Sequence, residues 1–396
     1  MLPDILSQTV PYVNEKSQRC TVLLYPPRNA FATLSMDTPW GPLSTLDPAD
    51  RALALTILSH DKHQLIEGLV VENTFDQIIK PLTDGSAPSL IKLDVETTIV
   101  GAPRTSKRWL ALVWARSLTT TTGLRRYLDA LWKVATPYVV EYISGTFIAR
   151  EWMGGRRATE STPLQDLLAH LSGKKPVLPV VDLTVRDPDR QRVAFWGFLT
   201  ETYPGPRLWN EVVLTRLFIN FGIQPFFRGV WNLDRICLFN DDLWLLEVKH
   251  KYPFGRSELQ FGINDGELQL MKLVGDAGIR TLYSLIVKPK WSKDVGSMYL
   301  HTNMDMRQRA AVVGMTPSMS SIELIQRGQT ALSPSHTSIT GRDSLKYKSI
   351  PARAFTYLGS YADGPQRLSA QLADLMNGKI GQPVSDGLLR QLRTDV

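Results

Sequence analysis

The sequence predicts an α/β protein whose central unit, residues 200–292, carries a mixed sheet. Two observations predict it. Between about 205 and 290 a helical period is followed by two short apolar runs with a turn between them, then a second helical period and a third apolar run. The composition, 43% hydrophobic and 21% charged over 396 residues, is that of packed domains and suffices for two or three cores. Residues 1–190 read as an α+β N-terminal domain, and 293–396 as a small C-terminal extension, partly flexible.

In the N-terminal part, apolar bursts at 20–25, 66–71, 91–100, 109–115 and 138–149 lie between Pro, Gly and Thr clusters and predict short strands. Two helical patterns interrupt them. One covers 46–66, with Asp47-Pro48 as cap and first-turn proline; the other covers 122–136, where Leu124, Leu128, Leu131 and Trp132 share a face. Residues 154–164 and 171–176 read as loops, which places a domain boundary between 155 and 205. Beyond 292 the stretch 313–350 is rich in Ser, Thr and Gly and reads as a mobile connection, and 366–376 and 385–393 read as short amphipathic helices.

The chemistry concentrates in the central unit. From Pro206 to Gly222, with Gly222 as the expected C-cap, Trp209, Val213, Leu214, Leu217, Phe218 and Phe221 form one apolar arc. Glu211 falls at its edge, about 20° from Phe218 at 100° per residue. The runs "LDRICLF" and "LWLLEVKHK" then predict a β-hairpin. Glu247 and Lys249 share a strand face with Leu243 and Leu245. With Asp241-Asp242 as the tight turn, Asp234 stands opposite Lys249 and diagonal to Glu247, whereas a three-residue loop without a bulge sends Asp234 to the other face. Two carboxylates and an amine on one apolar hairpin need either a neutralising cation or mutual pairing. Hard oxygen ligands suit Mg²⁺ or Mn²⁺, which bridge to phosphate oxygens; the alternative is a salt-bridged edge hairpin with no chemistry.

The order of helix with Glu211, strand with Asp234, strand with "EVK" at 247–249, helix, and the strand "TLYSLIVK" at 281–288 resembles the PD-(D/E)XK nuclease superfamily, of restriction-endonuclease-like fold. The likeness covers about 85 residues. Its spacings, 23 residues from Glu211 to Asp234 and 13 from Asp234 to Glu247, are similar to those of Holliday-junction resolvases. Leu233 stands where many members have proline. The resemblance implies that Asp234, Glu247 and the Val248 carbonyl ligate Mg²⁺, with Mn²⁺ as a substitute, that Glu211 completes the site, and that Lys249 serves the attacking water. It also implies a Gln or Glu on the next helix, for which Gln269 is the first choice and Glu267 the second. His250 points away from Lys249 and stays outside the catalytic set, while His250, Lys251, Arg228 and Arg256 are candidate phosphate contacts.

Other constellations are weaker. His60 and His63 share a helix face but have no third ligand, and Asp94 and Glu96 share a strand face with no lysine following. "TTTTG" at 119–123 lacks the lysine of a phosphate loop, and the arginines and lysines at 104, 107, 108, 125, 126, 150, 156 and 157 make the N-terminal half basic. The net charge of +7 permits a polyanionic partner. Cys20 and Cys237 exclude a disulfide scaffold and fit a reducing compartment, no apolar run reaches membrane-spanning length, and residues 1–10 lack a leader's basic and apolar regions. The expectation is a cytoplasmic, Mg²⁺-dependent DNA endonuclease in a mobile-element, phage-defence or recombination system, as a homodimer or with a partner protein that supplies specificity. The alternative is a catalytically weak nucleic-acid-binding or assembly subunit of a DNA-processing complex.

Overall fold

The computed structural model describes residues 35–394 except 63, 85–88, 103–106, 119–121, 179, 228, 334–343 and 380. The fold is mixed α/β. Two six-stranded sheets carry it, with a three-stranded and a two-stranded sheet beside them. The central sheet runs in the order Thr356–Ser360, Ala311–Met315, Arg280–Val287, Asp242–Lys251, Arg235–Phe239 and Leu90–Lys92. Its one parallel pair, Asp242–Lys251 with Arg280–Val287, is joined through the Asp265–Asp276 helix; the other pairs are antiparallel. The second sheet is ordered Thr162–Pro163, Thr146–Glu151, Thr136–Ile143, Trp109–Ala115, Val95–Gly101 and Val230–Leu233.

Both faces of the central sheet are covered. Trp244, Leu246 and Val248 join Leu282, Ile286 and Val312 in a core shared with the Gln64–Thr83 and Gly364–Met376 helices. On the opposite face Leu243, Leu245 and Ile236 pack against Leu270, Leu273 and Val274 of the Asp265–Asp276 helix. The strict alternation along 243–248 explains why a nearly continuous apolar run still has two distinct faces.

The hairpin turn corrects the expected register. Asn240 and Asp241 both have positive φ, +47° and +64°, as a type I′ turn requires, so the tight pair is Asn240-Asp241 and Phe239 faces Asp242. Continuing the pairs Ile236–Leu245 and Arg235–Leu246 by one residue sets Asp234 opposite Glu247, with Lys249 on the diagonal. The shift is by two residues, so Asp234 keeps its face.

Several boundaries also differ. The apolar burst 66–71 is not a strand but part of the 20-residue Gln64–Thr83 helix, because the apolar positions continue through Phe75, Ile78 and Ile79 at helical spacing. The helix expected over 46–66 breaks at Asp61-Lys62, and the Arg51–Ser59 piece is capped by Asp50, whose carboxylate accepts from Ala52 and Leu53 N–H, in place of Asp47. Gly222 lies inside a helical run over 206–223, much of it π-helical, and does not end it. The strand burst 20–25, Cys20, His63, Arg104 and Arg228 lie outside the described residues.

The sheets do not respect a boundary near 200. Leu90–Lys92 and the Gln64–Thr83 helix belong to the central sheet's layer, and Val230–Leu233 belongs to the second sheet. The C-terminal stretch is not an appendage either. Ala311–Met315 and Thr356–Ser360 extend the central sheet, and Gly364–Met376 packs on Gln64–Thr83.

Candidate active site

Asp234 occupies the single residue at which the chain leaves one six-stranded sheet and enters the other. Its neighbour Leu233 pairs with Thr97 in the second sheet, and Arg235 pairs with Leu246 in the central sheet. The antiparallel segment 90–101 crosses between the sheets at the same level, with Leu93 N–H donating to the Ile236 carbonyl at 2.9 Å. The Arg235–Phe239 strand therefore begins just after Asp234, and its partner strand Asp242–Lys251 runs on past the level of Asp234 with one edge uncovered.

That open edge is where the three residues of the motif meet. Lys249 Nζ lies 3.3 Å from Asp234 Oδ2 and also pairs with Glu247 Oε1. Val248 N–H reaches Asp234 Oδ2 at 3.4 Å. The N–H and C=O of a strand residue point to the same side, so the Val248 carbonyl also faces this edge. Glu247 is 4% exposed, and its Oε2 is buried with no hydrogen-bond partner. Burial first, and then the charge of Asp234, push the Glu247 carboxyl up to about 8 against the opposing pull of Lys249. Burial works against the charge on Lys249, but Asp234, Glu247 and Glu267 outweigh it and hold the ammonium well above its usual range.

The helix that follows supplies Glu267 and not Gln269. Asn264 and Glu267 form a capping box, Glu267 Oε2 taking the Asn264 N–H at 3.2 Å, and this fixes the helical phase. Glu267 turns inward to Lys251 Nζ at 3.4 Å, while Gln269 is on the exposed side. Lys251 is tied down further by the Gly262 carbonyl and the Tyr283 hydroxyl, at 2.5 and 2.9 Å. His250 faces the other way, 2.9 Å from the Tyr299 hydroxyl, and burial holds its imidazole well below the normal value. Arg256 is exposed.

Glu211 does not join Asp234 and Glu247. Both of its carboxylate oxygens are held by Arg207, at 2.7 and 3.0 Å, one turn earlier on its own helix. Among the described residues no three His, Cys, Asp or Glu side chains close around one point. Glu211 instead lines a cleft of about 730 Å³ that has Asp234 in its wall. Glu72, Asp76, Asp94 and Glu96 are its other carboxylates, and Lys92, Arg116, Arg216 and Arg235 its cations. Arg235 bonds Asp76 through Nε and Nη2, at 2.5 and 3.1 Å, and lies 3.6 Å from Glu72, clamping the Gln64–Thr83 helix to the sheet. Burial is the first cause that raises the Glu72 carboxyl and takes Glu96 up to about 7; the charge of Asp234 adds to both.

Sequence reasoning passed over Glu72 and set Asp94 and Glu96 aside. Nothing along the chain ties Glu72 to Asp234, since the tie is the Arg235 bridge between a helix and a strand far apart in sequence. The signal for Glu267 was present in the Asn264-x-x-Glu267 capping pattern. The remaining groups play structural parts. His60 packs edge-on against Trp40, Arg150 pairs with Glu141, Lys107 covers Trp132, and burial lifts the Cys237 thiol to about 12.

No family model, curated protein or solved structure matches this chain. Among the described residues no helix is long and apolar enough to cross a membrane.

Proposed function

We propose that this chain is a Mg²⁺-dependent DNA endonuclease with a restriction-endonuclease-like core built on the central sheet. The reading rests above all on Glu247 Oε2, a buried carboxylate oxygen without a partner beside Asp234 and Lys249. An orphaned buried polar atom of this kind costs stability unless a ligand completes it. Asp234, Glu247 and the Val248 carbonyl are hard oxygen donors suited to Mg²⁺ or Mn²⁺, with water and a phosphate oxygen completing the shell. With both carboxyls ionised, they and the one ammonium carry a net negative charge, which a divalent cation would reverse. Glu211 is left out of the ligand set because Arg207 already holds it.

The ion would supply Lewis acidity at a phosphate oxygen and a more acidic water. The rest falls to the chain. Val248 N–H and Lys249 hold the Asp234 carboxylate in place, and Glu267 fixes Lys251 behind them. Lys249, kept protonated by its neighbours, is available to orient the nucleophile and to offset charge on the phosphate in the transition state. DNA is the proposed partner, with a second copy or another protein supplying specificity, in mobile-element, phage-defence or recombination chemistry. The compartment we propose is the cytoplasm.

One observation favours the binding or assembly reading: the Lys249 ammonium already pairs with both motif carboxylates, as in a static salt bridge. Cleavage of supercoiled plasmid, branched DNA and single strands in Mg²⁺, Mn²⁺ or EDTA separates the two. For the nuclease, Asp234→Ala and Lys249→Ala each lower metal-dependent nicking by about a hundredfold or more. Absence of metal-dependent cleavage with DNA binding intact turns the assignment to the binding subunit, and cleavage that survives both substitutions moves the site elsewhere.

A further inference from the structure

A separate cavity lies at the turn end of the hairpin, away from the motif, and its lining is basic. It has about 970 Å³ and is bounded by the Leu124–Trp132 helix, the start of the Asp242–Lys251 strand and the end of the Asp265–Asp276 helix. Buried Leu128, Val139, Trp152 and Leu243 line it together with Arg125, Arg126, Lys133 and Arg157. The two carboxylates in the lining are both engaged. Asp129 accepts from Trp152 Nε1 and from Gly155 N–H, each at 2.8 Å, and Asp242 lies 3.3 Å from Arg280. Arg157 is paired with Glu141 at 3.1 Å. Among the described residues Arg126 makes no ion pair, and Lys133 Nζ reaches the Ala277 carbonyl at 3.5 Å.

The arginines sit where they work against their own helix. Arg125 and Arg126 occupy the first turn of Leu124–Trp132, which has no acidic residue in that turn and no side-chain cap. The partial positive charge of a helix N-terminus disfavours cations there. Helical spacing sets Arg126 and Lys133 about 20° apart on one face and about 10 Å apart along the axis. Exposure then selects the kind of anion. The Arg125 side chain is 77% exposed, and Arg126 and Lys133 are exposed as well. A single small anion gains little from such cations, because water and salt screen each pair. A polyanion engages several of them at once and releases counterions at each, so the weak contacts add. Position selects the polyanion. Glu267, in the first turn of the Asp265–Asp276 helix, pairs with Lys251 behind the motif, and Ala277 and Gly278, just past its end, line the cavity. The helix between measures about 18 Å, the rise of about five base pairs.

We propose that Arg125, Arg126 and Lys133 at this cavity dock the phosphate backbone of DNA about five base pairs from the phosphate at Asp234. The proposal rests on the nucleic-acid reading above. It gives the Leu124–Trp132 helix a direct part in holding the substrate, and it leaves the chemistry to the motif at the other end of the hairpin.

The test reads binding apart from cleavage. Affinity of the full chain for a fluorescent DNA duplex is measured by anisotropy in EDTA, between about 50 and 200 mM salt. Arg126→Gln with Lys133→Gln should weaken binding about tenfold or more at the low end and make the log–log salt slope shallower by about 2. Arg126→Lys with Lys133→Arg should restore the slope. The glutamine pair should melt no lower than the wild type, because no internal ion pair is lost and the helix N-terminus is relieved of a cation. A melt that falls along with the affinity makes the two residues structural and overturns the proposal. A matched pair, Arg51→Gln with Lys346→Gln, removes the same charge from exposed positions on other elements. If it moves affinity and slope as far as the cavity pair does, net charge alone is at work and the proposal fails. An unchanged slope in the cavity pair overturns it too. So does displacement of the duplex by poly-glutamate or inorganic phosphate as effectively as by unlabelled DNA, which assigns these cations to an acidic protein or a small anion. The two readings fail separately. Weakened binding in the cavity pair, with no metal-dependent cleavage by the wild type, removes hydrolysis and keeps this surface. Metal-dependent cleavage, with binding unaltered in the cavity pair, does the reverse.

Discussion

Glu96 is a carboxyl that burial above all raises, with a smaller contribution from the charge of Asp234, and this makes it a probe of the cleft. Its folded value of about 7 lies above the ordinary carboxylate value of 4.5, so the folded state binds the proton more tightly than the unfolded chain does. The stabilisation this contributes is complete below about 4.5 and is lost as pH rises through about 7. Glu96→Gln removes the dependence. Relative to the wild type, the variant should gain on the order of 1–3 kcal/mol between pH 5 and pH 8, read from urea unfolding at the two values. Unfolding free energies that run parallel at both pH values would mean that Glu96 ionises freely. The same scale shows what is legible from sequence and what is not. Asp234, Glu247 and Lys249 were readable because a strand's period of two brings them together through local geometry alone. Glu72 and Glu96 reach the same place from other elements, and a single sequence carries no sign of that. Gln269 was a matter of helical phase, which the capping box at Asn264 and Glu267 settles in favour of Glu267.

At the scale of elements, the turn at Asn240-Asp241 decides whether a site exists. With two residues in the left-handed region the hairpin closes as type I′, and its register brings Asp234 across from Glu247. The hairpin itself was foreseeable from two apolar runs and an Asn-Asp-Asp spacer. Its register was not, because either pair of the three was available as the tight turn and only the backbone angles choose between them. The choice leaves Asp234 on the face of Glu247 and Lys249, since a two-residue shift preserves the face and only a one-residue shift would have scattered the carboxylates. Substitutions at Asp241 report the conformation directly. Asp241→Gly should raise stability by a few tenths to about 1 kcal/mol, and Asp241→Val should lower it by about 1–2 kcal/mol, because a β-branched side chain resists positive φ. Chemical denaturation measures both, and a valine variant as stable as the wild type would place the turn elsewhere.

At the scale of the molecule, the two large sheets exchange parts, and this defeats a reading by domains along the chain. The class and most element types were legible, since they rest on local periodicity, but membership in a sheet is a long-range property. Leu90–Lys92 lies on the central sheet's edge beside Arg235–Phe239, and Val230–Leu233 closes the edge of the second sheet. The Gln64–Thr83 helix covers one face of the central sheet together with Gly364–Met376, and residues from Met36 to Met376 belong to one continuous core. Residues 200–292, the stretch that carries the motif, therefore lack one edge strand, the two outer strands and both helices over one face. Trp244, Leu246, Val248, Leu282 and Ile286 would be left facing water, each costing about 1.5–3 kcal/mol of burial, against a net stability of only about 5–15 kcal/mol for an ordinary domain. A fragment of residues 200–292 produced alone should show no cooperative thermal transition by circular dichroism and should aggregate. The full chain should unfold with these sheets lost together, hydrogen exchange slowing the 242–251 and 109–115 strands to the same degree. A fragment that melts cooperatively would establish 200–292 as an autonomous unit, and Asp234 would then mark a boundary between two folding units instead of a seam inside one.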